Sequence, residues 1–211
     1  MKIDFVSDVS CPWCAIGLKA LEEAIERIGP SVSVEIHFQP FELNPDMPAG
    51  GQDITEHLVQ KYGITPEQAD SNREGIRQRG RQVGFDFNME RRGRIYNTFD
   101  AHRLLHWAGL QGRQRELKHA LFETYFTEGM DPSDHGVLTA LAVKVGLNQS
   151  DVRELLAGDA FAQQVREHER FYAEQGIRSV PSVIINDRHL IQGGQPVELF
   201  EQALRQIVAE G

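Results

Sequence analysis

The chain contains two cysteines, Cys11 and Cys14, separated only by Pro12 and Trp13. A Cys-x-x-Cys pair at the start of a helix is suited to thiol–disulfide exchange. Unpaired N–H groups and the positive end of the helix dipole favour the thiolate of Cys11, which makes Cys11 the nucleophile. Cys14 follows one helical turn later and within disulfide reach, so it can resolve a mixed disulfide formed at Cys11.

Zinc binding is the alternative chemistry for such a pair, because thiolates are also zinc ligands. Two further ligands would be needed, and His102 and His106 share one face of a predicted helix. The long stretch between Cys14 and His102 fits no compact zinc finger, so the spacing favours a redox pair without a bound metal.

A strand and a helix must position the two cysteines. Residues 2–7 alternate in polarity and predict a short strand that leads directly into the pair. In the helix that follows, Ser10 is expected to act as the N-cap and Pro12 fits the first turn, where a missing N–H costs nothing. Gly29-Pro30 ends the apolar pattern. Alternation over residues 32–38 predicts a second strand, which completes a right-handed βαβ unit.

Helical periodicity dominates the middle of the chain and is broken by Gly and Pro. The predicted helices cover residues 53–62, 66–82, 95–110, 113–128, 133–145, 149–157 and 159–175. Strand character returns at 180–185 and 189–191, on either side of a turn at 186–188. An amphipathic helix over 196–209 closes the pattern.

The strand segments therefore lie at both ends of the sequence. Because an isolated two-stranded βαβ unit is not stable, it needs the C-terminal strands to complete its sheet. The sequence predicts an α/β fold in which residues 1–42 and 177–211 form one domain. Residues 43–176 are expected to form an all-helical insertion between the N-terminal βαβ unit and the C-terminal ββα unit.

The composition excludes several classes of protein. The 211 residues include 22 basic and 31 acidic side chains, which gives a net charge of −9 and argues against general nucleic-acid binding. No apolar run is long enough to span a membrane. Asp4 and Asp8 interrupt the first apolar residues before a signal-peptide core forms, so we expect a cytoplasmic protein. In that reducing compartment two cysteines are more often a redox or metal site than a structural disulfide.

A second motif, Val180-Pro181, opens the first C-terminal strand. A proline at this position suits a turn that holds a cis peptide bond, but it is equally typical of an ordinary edge strand. The residues alone leave both interpretations open.

Five segments together resemble one protein family. They are Cys11-Pro12-Trp13-Cys14, Phe41-Glu42-Leu43-Asn44-Pro45, Asn97-Thr98-Phe99-Asp100-Ala101-His102-Arg103, Val180-Pro181 and Gly193-Gly194-Gln195. The chain resembles the DsbA-like thioredoxin-fold oxidoreductases over nearly its whole length. Its closest resemblance is to the FrnE-type branch, which is related to 2-hydroxychromene-2-carboxylate isomerases and kappa-class glutathione transferases.

The resemblance implies a thioredoxin fold with a helical insertion, a cis-proline loop that faces the cysteines, and disulfide oxidoreductase activity. By position, Cys11 resembles the nucleophile, Cys14 the resolving cysteine and Pro181 the cis-proline. Val180 is then expected to offer backbone hydrogen bonds to a bound peptide, in the manner of an added strand.

Two features distinguish this chain within the resemblance. The isomerase and transferase relatives generally lack an intact redox pair, whereas both cysteines are present here. Trp13 occupies a position where periplasmic DsbA-type enzymes tend to carry histidine, and it belongs to the expected substrate-binding residues. Without that cation the reduced thiolate is stabilised less, so we expect a less oxidising couple than that of periplasmic DsbA.

Three further polar features are candidates for binding. Asn97 and His102 either line a cleft between the insertion and the sheet, where His102 would tune the thiolate, or simply pack within a helix. Gln195 precedes the last helix, and the resemblance implies that this helix start lies near a glutathione-like carboxylate. Residues 73–94 hold seven arginines and three acidic residues, which suits either an acidic substrate or a solvated face.

The sequence thus favours a protein or thiol disulfide oxidoreductase that acts on disulfide-containing proteins or small thiols. No cofactor is expected to be bound, although glutathione can serve as a thiol co-substrate. Two alternatives remain: a glutathione-dependent isomerase or transferase for a small aromatic or polyketide-like substrate, and a non-catalytic peptide-binding holdase. The sequence is compatible with a monomer or a homodimer.

Overall fold

The computed structural model describes residues 1–210. The strands are β1 (Lys2–Ser7), β2 (Glu35–Pro40), β3 (Gln52–Asp53), β4 (Arg94–Ile95), β5 (Ser182–Ile185) and β6 (His189–Gln192). The helices are α1 (Pro12–Ile28), α2 (Ile54–Tyr62), α3 (Pro66–Gln82), α4 (Phe99–Leu110), α5 (Gln114–Glu123), α6 (His135–Lys144), α7 (Gln149–Ala157), α8 (Ala162–Glu174) and α9 (Val197–Glu210). A π-helical turn, Thr124–Glu128, continues α5.

The main sheet has the strand order β2-β1-β5-β6. β1 pairs in parallel with β2 and antiparallel with β5, so that Phe5 lies between Phe38 and Val183. Successive side chains of β1 point to opposite faces. Phe5 therefore packs into the larger core with α1 and α9, whereas Val6 packs on the other face beside Tyr172. Both faces of β1 are covered, so Asp4, which lies on the same face as Val6, is also buried.

α1 begins and ends close to the predicted boundaries, but the residue that caps it differs. Cys11 is the N-cap, Pro12 occupies the first turn, and the chain leaves the helix at Gly29 with φ 85°. The prediction that Ser10 caps the helix is wrong. The Ser10 hydroxyl instead donates to Asp8 Oδ2 at 3.0 Å, which leaves the helix start facing the Cys11 side chain.

The second strand is displaced from its predicted position. The alternation of apolar and polar residues predicted a strand over residues 32–38, whereas β2 covers Glu35–Pro40. The cause is the length of β1: its pairing begins at Lys2, which lies opposite Glu35. Residues before Glu35 have no partner strand, and Val32 N–H donates instead to Gly29 O at 3.4 Å. The apolar alternation therefore continues beyond the sheet.

The helices between β2 and β5 follow the periodicity closely, with two corrections at their starts. α4 begins at Phe99 rather than residue 95, because Arg94 and Ile95 pair with β3 in a small antiparallel ribbon that was not predicted. α8 begins at Ala162 because Phe161 adopts a left-handed conformation with φ 64°. The division of the chain into the domains 1–42 with 177–211, and 43–176, stays a prediction.

Among residues 1–210, no helix combines the length and the apolar composition that are needed to cross a membrane.

A side chain of α5 connects the helices to the free edge of β2. Gln114 Oε1 accepts from Phe38 N–H and Gln114 Nε2 donates to Phe38 O, both at 3.0 Å. Because Phe38 is buried, an unpartnered backbone there would lose its hydrogen bonds without gaining water.

We expect Gln114→Ala to lower the free energy of unfolding by about 2 kcal/mol, because it leaves both Phe38 backbone groups without partners. Urea denaturation followed by circular dichroism measures the change. Gln111→Ala, at an exposed position at the end of α4, is the matched control. An equal loss of stability in both variants would contradict the bridging role of Gln114.

Candidate functional site

Cys11 lies at the junction between β1 and α1. Its backbone is extended (φ −89°, ψ 112°), and Cys14 N–H donates to Cys11 O at 3.1 Å, which closes the first turn. Both cysteines are free thiols. Cys11 is 4% exposed and Cys14 is fully buried, whereas Trp13 between them is 40% exposed. Of the two thiols, Cys11 is therefore the one closer to solvent.

The loop before β5 lies directly against Cys11. Cys11 Sγ donates to Val180 O over 3.7 Å, and the Val180–Pro181 peptide bond is cis. Pro181 O accepts from Gly193 N–H at 2.8 Å, so the turn after β6 supports the same loop. Residues far apart in the sequence thus form one surface around Cys11.

Two glycines allow this close packing. A Cβ atom on Gly194 would lie 2.9 Å from Trp13 O, and one on Gly17 would lie 3.1 Å from Pro181 Cγ. Real Cβ contacts are essentially never as short as 2.9 Å and are seldom as short as 3.1 Å, so larger residues would push the cysteine turn away from the proline loop. Packing against α1 therefore explains Gly194, whereas Gly193 is required by its left-handed backbone, with φ 83°.

The Cys14 thiol lies deeper in the protein. Burial raises the pKa of Cys14 well above its ordinary value, and the neighbouring Cys11 raises it further. The charge of Lys118, on α5, acts in the opposite direction. Lys118 is itself only 1% exposed, and burial lowers its pKa to about 8. Its Nζ lies 4.8 Å from the centre of the Phe122 ring.

Asp8, three residues before Cys11, is a fully buried carboxylate. It accepts hydrogen bonds from Ser10 N–H at 3.2 Å and from Leu43 N–H at 2.7 Å. His102 Nε2 lies 3.5 Å from Asp8 Oδ1. Burial alone would raise the pKa of Asp8, but His102, together with the Leu43 and Thr98 contacts, lowers it to about 2. Asp8 is therefore a permanent anion beside the cysteine turn.

A second carboxylate group lies next to Leu43. Glu42 and Glu169 both accept from Nη1 of Arg166, whose guanidinium stacks 3.8 Å from the centre of the Phe99 ring. Burial and the charge of Glu169 raise the pKa of Glu42 to about 7, although Arg166 opposes the change. This cluster joins α8 to the segment after β2.

The structure brings Cys11, Cys14, Trp13, Val180 and Pro181 together, as the sequence suggested. The other predicted binding residues, Asn97, His102 and Gln195, have different surroundings.

Asn97 lies before α4 rather than within it. Its Oδ1 accepts from Phe99 N–H at 2.9 Å and its Nδ2 donates to Pro45 O at 3.3 Å. Gln195 Nε2 donates to Gln192 O at 2.7 Å. These contacts use the polar groups of both side chains locally, so binding roles for Asn97 and Gln195 stay predictions.

His102 is 3% exposed and interacts with Asp8, as described above. It also lines a cavity of about 430 Å³ between β2, α4 and α5. The structure therefore places His102 behind the cysteine turn, on the side of Asp8, while Val180 contacts Cys11.

The arginines of residues 73–94 do not form one free basic patch. Arg73 pairs with Asp70, Arg77 with Glu74, and Arg94 donates to Gly50 O and Gly51 O. Arg79 donates to Gly194 O at 3.4 Å. Much of the local positive charge is therefore used within the fold.

Within residues 1–210 no group of three or more His, Cys, Asp or Glu side chains could hold a metal ion. His102 and His106 accordingly do not combine with the cysteines in such a group. This arrangement provides no support for the zinc alternative.

Sequence reasoning missed Lys118 completely. It is a lysine among the polar residues of an amphipathic helix, and only the packing of α5 against α1 shows that it is buried. The contact between Asp8 and Leu43 could not be predicted either, because it depends on the position of the loop after β2.

Comparison with known proteins agrees with this architecture. A model of the DSBA-like thioredoxin domain matches residues 2–205. The structure of a probable DsbA oxidoreductase from Streptomyces coelicolor is 34% identical with a TM-score of 0.91, and the match covers 100% of this chain and 91% of that one. The uncharacterized protein YwbO of Bacillus subtilis (strain 168) is 27% identical over 205 residues, 97% of this chain and 96% of that protein.

A more distant structure shares the fold alone. The cytosolic disulfide reductase DsbM from Pseudomonas aeruginosa, solved with GSH, is 14% identical with a TM-score of 0.68 over 99% of this chain and 100% of that one. The predicted α/β thioredoxin fold with a helical insertion is confirmed by these matches.

The buried Lys118 gives a prediction about stability. Because its pKa is about 8 in the folded protein and about 10.5 ordinarily, its charge opposes folding. That cost is fully present below pH 8 and is lost as the pH rises towards 10.5. We expect Lys118→Met to raise the free energy of unfolding at pH 7 by about 2 to 3 kcal/mol.

Urea denaturation at several pH values tests this expectation, because the gain should shrink between pH 8 and pH 10. Lys144→Met removes an exposed lysine from the end of α6 and is the control. A gain that does not depend on pH would show that the Lys118 charge is not its source.

Proposed function

The chain belongs to the family of DSBA-like thioredoxin domains, and on that premise we propose that it is a thiol–disulfide oxidoreductase that works through Cys11 and Cys14. The observation that carries the proposal is the position of Cys11. Its sulfur lies at the N-terminus of α1 and 3.7 Å from Val180 O, with Cys14 buried one turn behind it. The proposed nucleophile, the proposed resolving thiol and the backbone proposed to bind the substrate therefore lie next to one another.

The proposed cycle has two steps. The Cys11 thiolate attacks one sulfur of a substrate disulfide, forms a mixed disulfide and releases the other substrate sulfur as a thiolate that takes a proton from water. Cys14 then loses its proton and attacks Cys11 Sγ, which breaks the mixed disulfide and releases the second thiol. The substrate gains two electrons and the Cys11–Cys14 pair is oxidised. Run in reverse, the same steps oxidise a substrate dithiol.

The different surroundings of the two cysteines support their different roles. Cys11 faces the unpaired N–H groups of the first turn, which favour a thiolate. Cys14 is fully buried and its pKa is raised, so it stays protonated and does not compete for the substrate. It reacts once the mixed disulfide has placed a sulfur–sulfur bond within its reach.

We propose that the substrate binds across the exposed Trp13 ring and the Val180 backbone. An extended peptide can pair with backbone groups beside the proline loop as an added strand, which requires no particular substrate sequence. Disulfide-containing proteins are one proposed substrate class, and small thiols are the other. Glutathione is the proposed thiol co-substrate, supported by the fold shared with DsbM, which was solved with GSH. We also propose a cytoplasmic location and membership of the FrnE-type branch.

The activity is tested by reduction of insulin in the presence of dithiothreitol. We expect Cys11→Ser to reduce the rate at least a hundredfold, because it removes the nucleophile. Cys14→Ala should also stop turnover but should accumulate a mixed disulfide at Cys11, detectable by mass spectrometry. Wild-type activity in Cys11→Ser would refute the proposal.

The same variants separate the alternatives. Glutathione-dependent isomerisation should survive Cys14→Ala, because it needs no resolving cysteine. Suppression of aggregation by a holdase should survive loss of both cysteines.

The redox potential gives a second test. Because Trp13 provides no cation beside Cys11, we expect the couple to be less oxidising than that of periplasmic DsbA. Equilibration with reduced and oxidised glutathione, followed by quantification of the Cys11–Cys14 disulfide, measures the potential. A value as oxidising as that of DsbA would contradict this expectation.

A further inference from the structure

Arg92 is a buried cation without a carboxylate partner. It lies between α3 and β4 and is 7% exposed. Among the salt bridges formed within residues 1–210, none involves Arg92, and its Nε is buried without a hydrogen-bond partner. A buried charge of this kind is unfavourable unless its surroundings compensate for it. The stability of the fold therefore depends on what surrounds the guanidinium.

Aromatic rings and one carbonyl surround the guanidinium. Its Cζ lies 4.9 Å from the centre of the Tyr125 ring and 4.8 Å from that of Phe126. Nη2 donates to Ser10 O at 3.1 Å. The planar group is thus held in one place by two rings and a hydrogen bond, a geometry that suits arginine better than lysine.

The contacted carbonyl belongs to the peptide group that joins Ser10 to Cys11. Arg92 therefore touches the backbone immediately before the nucleophile, from within the helical part of the fold. Other ionisable groups also act on this turn: Asp8 with His102 behind it, Lys118 from α5 and Tyr62 from α2. Asp8 lies 3.5 Å from His102 Nε2. Arg92 shares a cavity with Asp53, Asp70, Glu74 and Glu90, but among residues 1–210 it forms no salt bridge with any of them.

We propose that Arg92 is a positioning residue for the redox pair, which fixes the Ser10 carbonyl and supplies a permanent positive charge that favours the Cys11 thiolate. The proposal rests on the function proposed above. A thiolate at Cys11 would place a negative charge one residue from the carbonyl that Arg92 contacts, and the burial of both side chains would strengthen their interaction. Arginine remains charged at every pH at which the cysteines titrate. Arg92 therefore stabilises the reduced pair relative to the disulfide.

The test compares three substitutions. Arg92→Met removes the charge and the hydrogen bond, and Arg92→Gln removes the charge but keeps an amide donor for Ser10 O. Arg91→Met removes the same charge from the neighbouring exposed position and is the matched control. Each is prepared in the full chain, and far-ultraviolet circular dichroism confirms folding.

The first readout is the pH titration of the Cys11 thiolate, followed by its absorbance at about 240 nm in a Cys14→Ala background. We expect Arg92→Gln and Arg92→Met to reduce the ratio of thiolate to thiol at neutral pH about tenfold, which corresponds to one pKa unit. The second readout is the equilibrium with glutathione, which should shift towards the disulfide by a similar factor. Arg91→Met should leave both readouts unchanged.

The proposal is overturned if folded Arg92→Gln titrates like the wild type, or if Arg91→Met produces the same shift. If Arg92→Met does not fold, the folded Arg92→Gln protein decides the outcome. If neither variant folds, Arg92→Lys decides the outcome, because it keeps the positive charge. A Cys11 titration midpoint equal to that of the wild type supports the role of the charge. A midpoint shifted by the full tenfold change expected on loss of the charge refutes it. These titrations do not depend on turnover, so a wild-type protein that reduces no disulfide would refute the proposed function and leave the role of Arg92 measurable.

Discussion

A carboxylate that is removed from water must find its hydrogen bonds inside the protein, and Asp8 meets this requirement by joining three parts of the fold. Its oxygens accept from Ser10 beside the nucleophile and from Leu43 after β2, and they lie next to His102 on α4. Any displacement of one of these segments would leave a buried charge without its partners, which costs several kcal/mol. The cysteine turn, the loop after β2 and the helices are therefore fixed relative to one another by one side chain.

This constraint shows what the helical region contributes to the site. The sheet and α1 provide the two cysteines and the Val180–Pro181 loop, which suffice for disulfide exchange in principle. The segment between β2 and β5 adds His102 beside Asp8, Lys118 near Cys14 and Arg92 against Ser10. All three are ionisable groups that are almost completely buried. The helices therefore determine the electrostatic environment of the cysteines as well as covering them.

The sequence allowed the reactive pair and most elements to be predicted because these depend on local patterns. Cys14 follows Cys11 by three residues at a helix start, and apolar periodicity locates the helices within a few residues. The register of β2 was missed, since it depends on where Lys2 meets Glu35. Arg92 was visible only as one of several arginines, and Lys118 was not noticed. Whether a charged side chain is buried depends on which helix packs over it, and local periodicity carries no such information.

Burial of Lys118 opposes stability, and the same burial strengthens the effect of its charge on the neighbouring Cys14 thiol. A charged Lys118 costs folding free energy, as its lowered pKa indicates, whereas Arg92 has two aromatic rings and the Ser10 carbonyl as partners. Two apolar clusters offset this loss, one around Phe5 and α1 and the other among α4 to α7. The same low-dielectric surroundings that make the charges costly increase their effect on a nearby thiolate. Replacing Lys118 by an apolar residue would make the fold more stable and would remove a charge that lowers the pKa of Cys14.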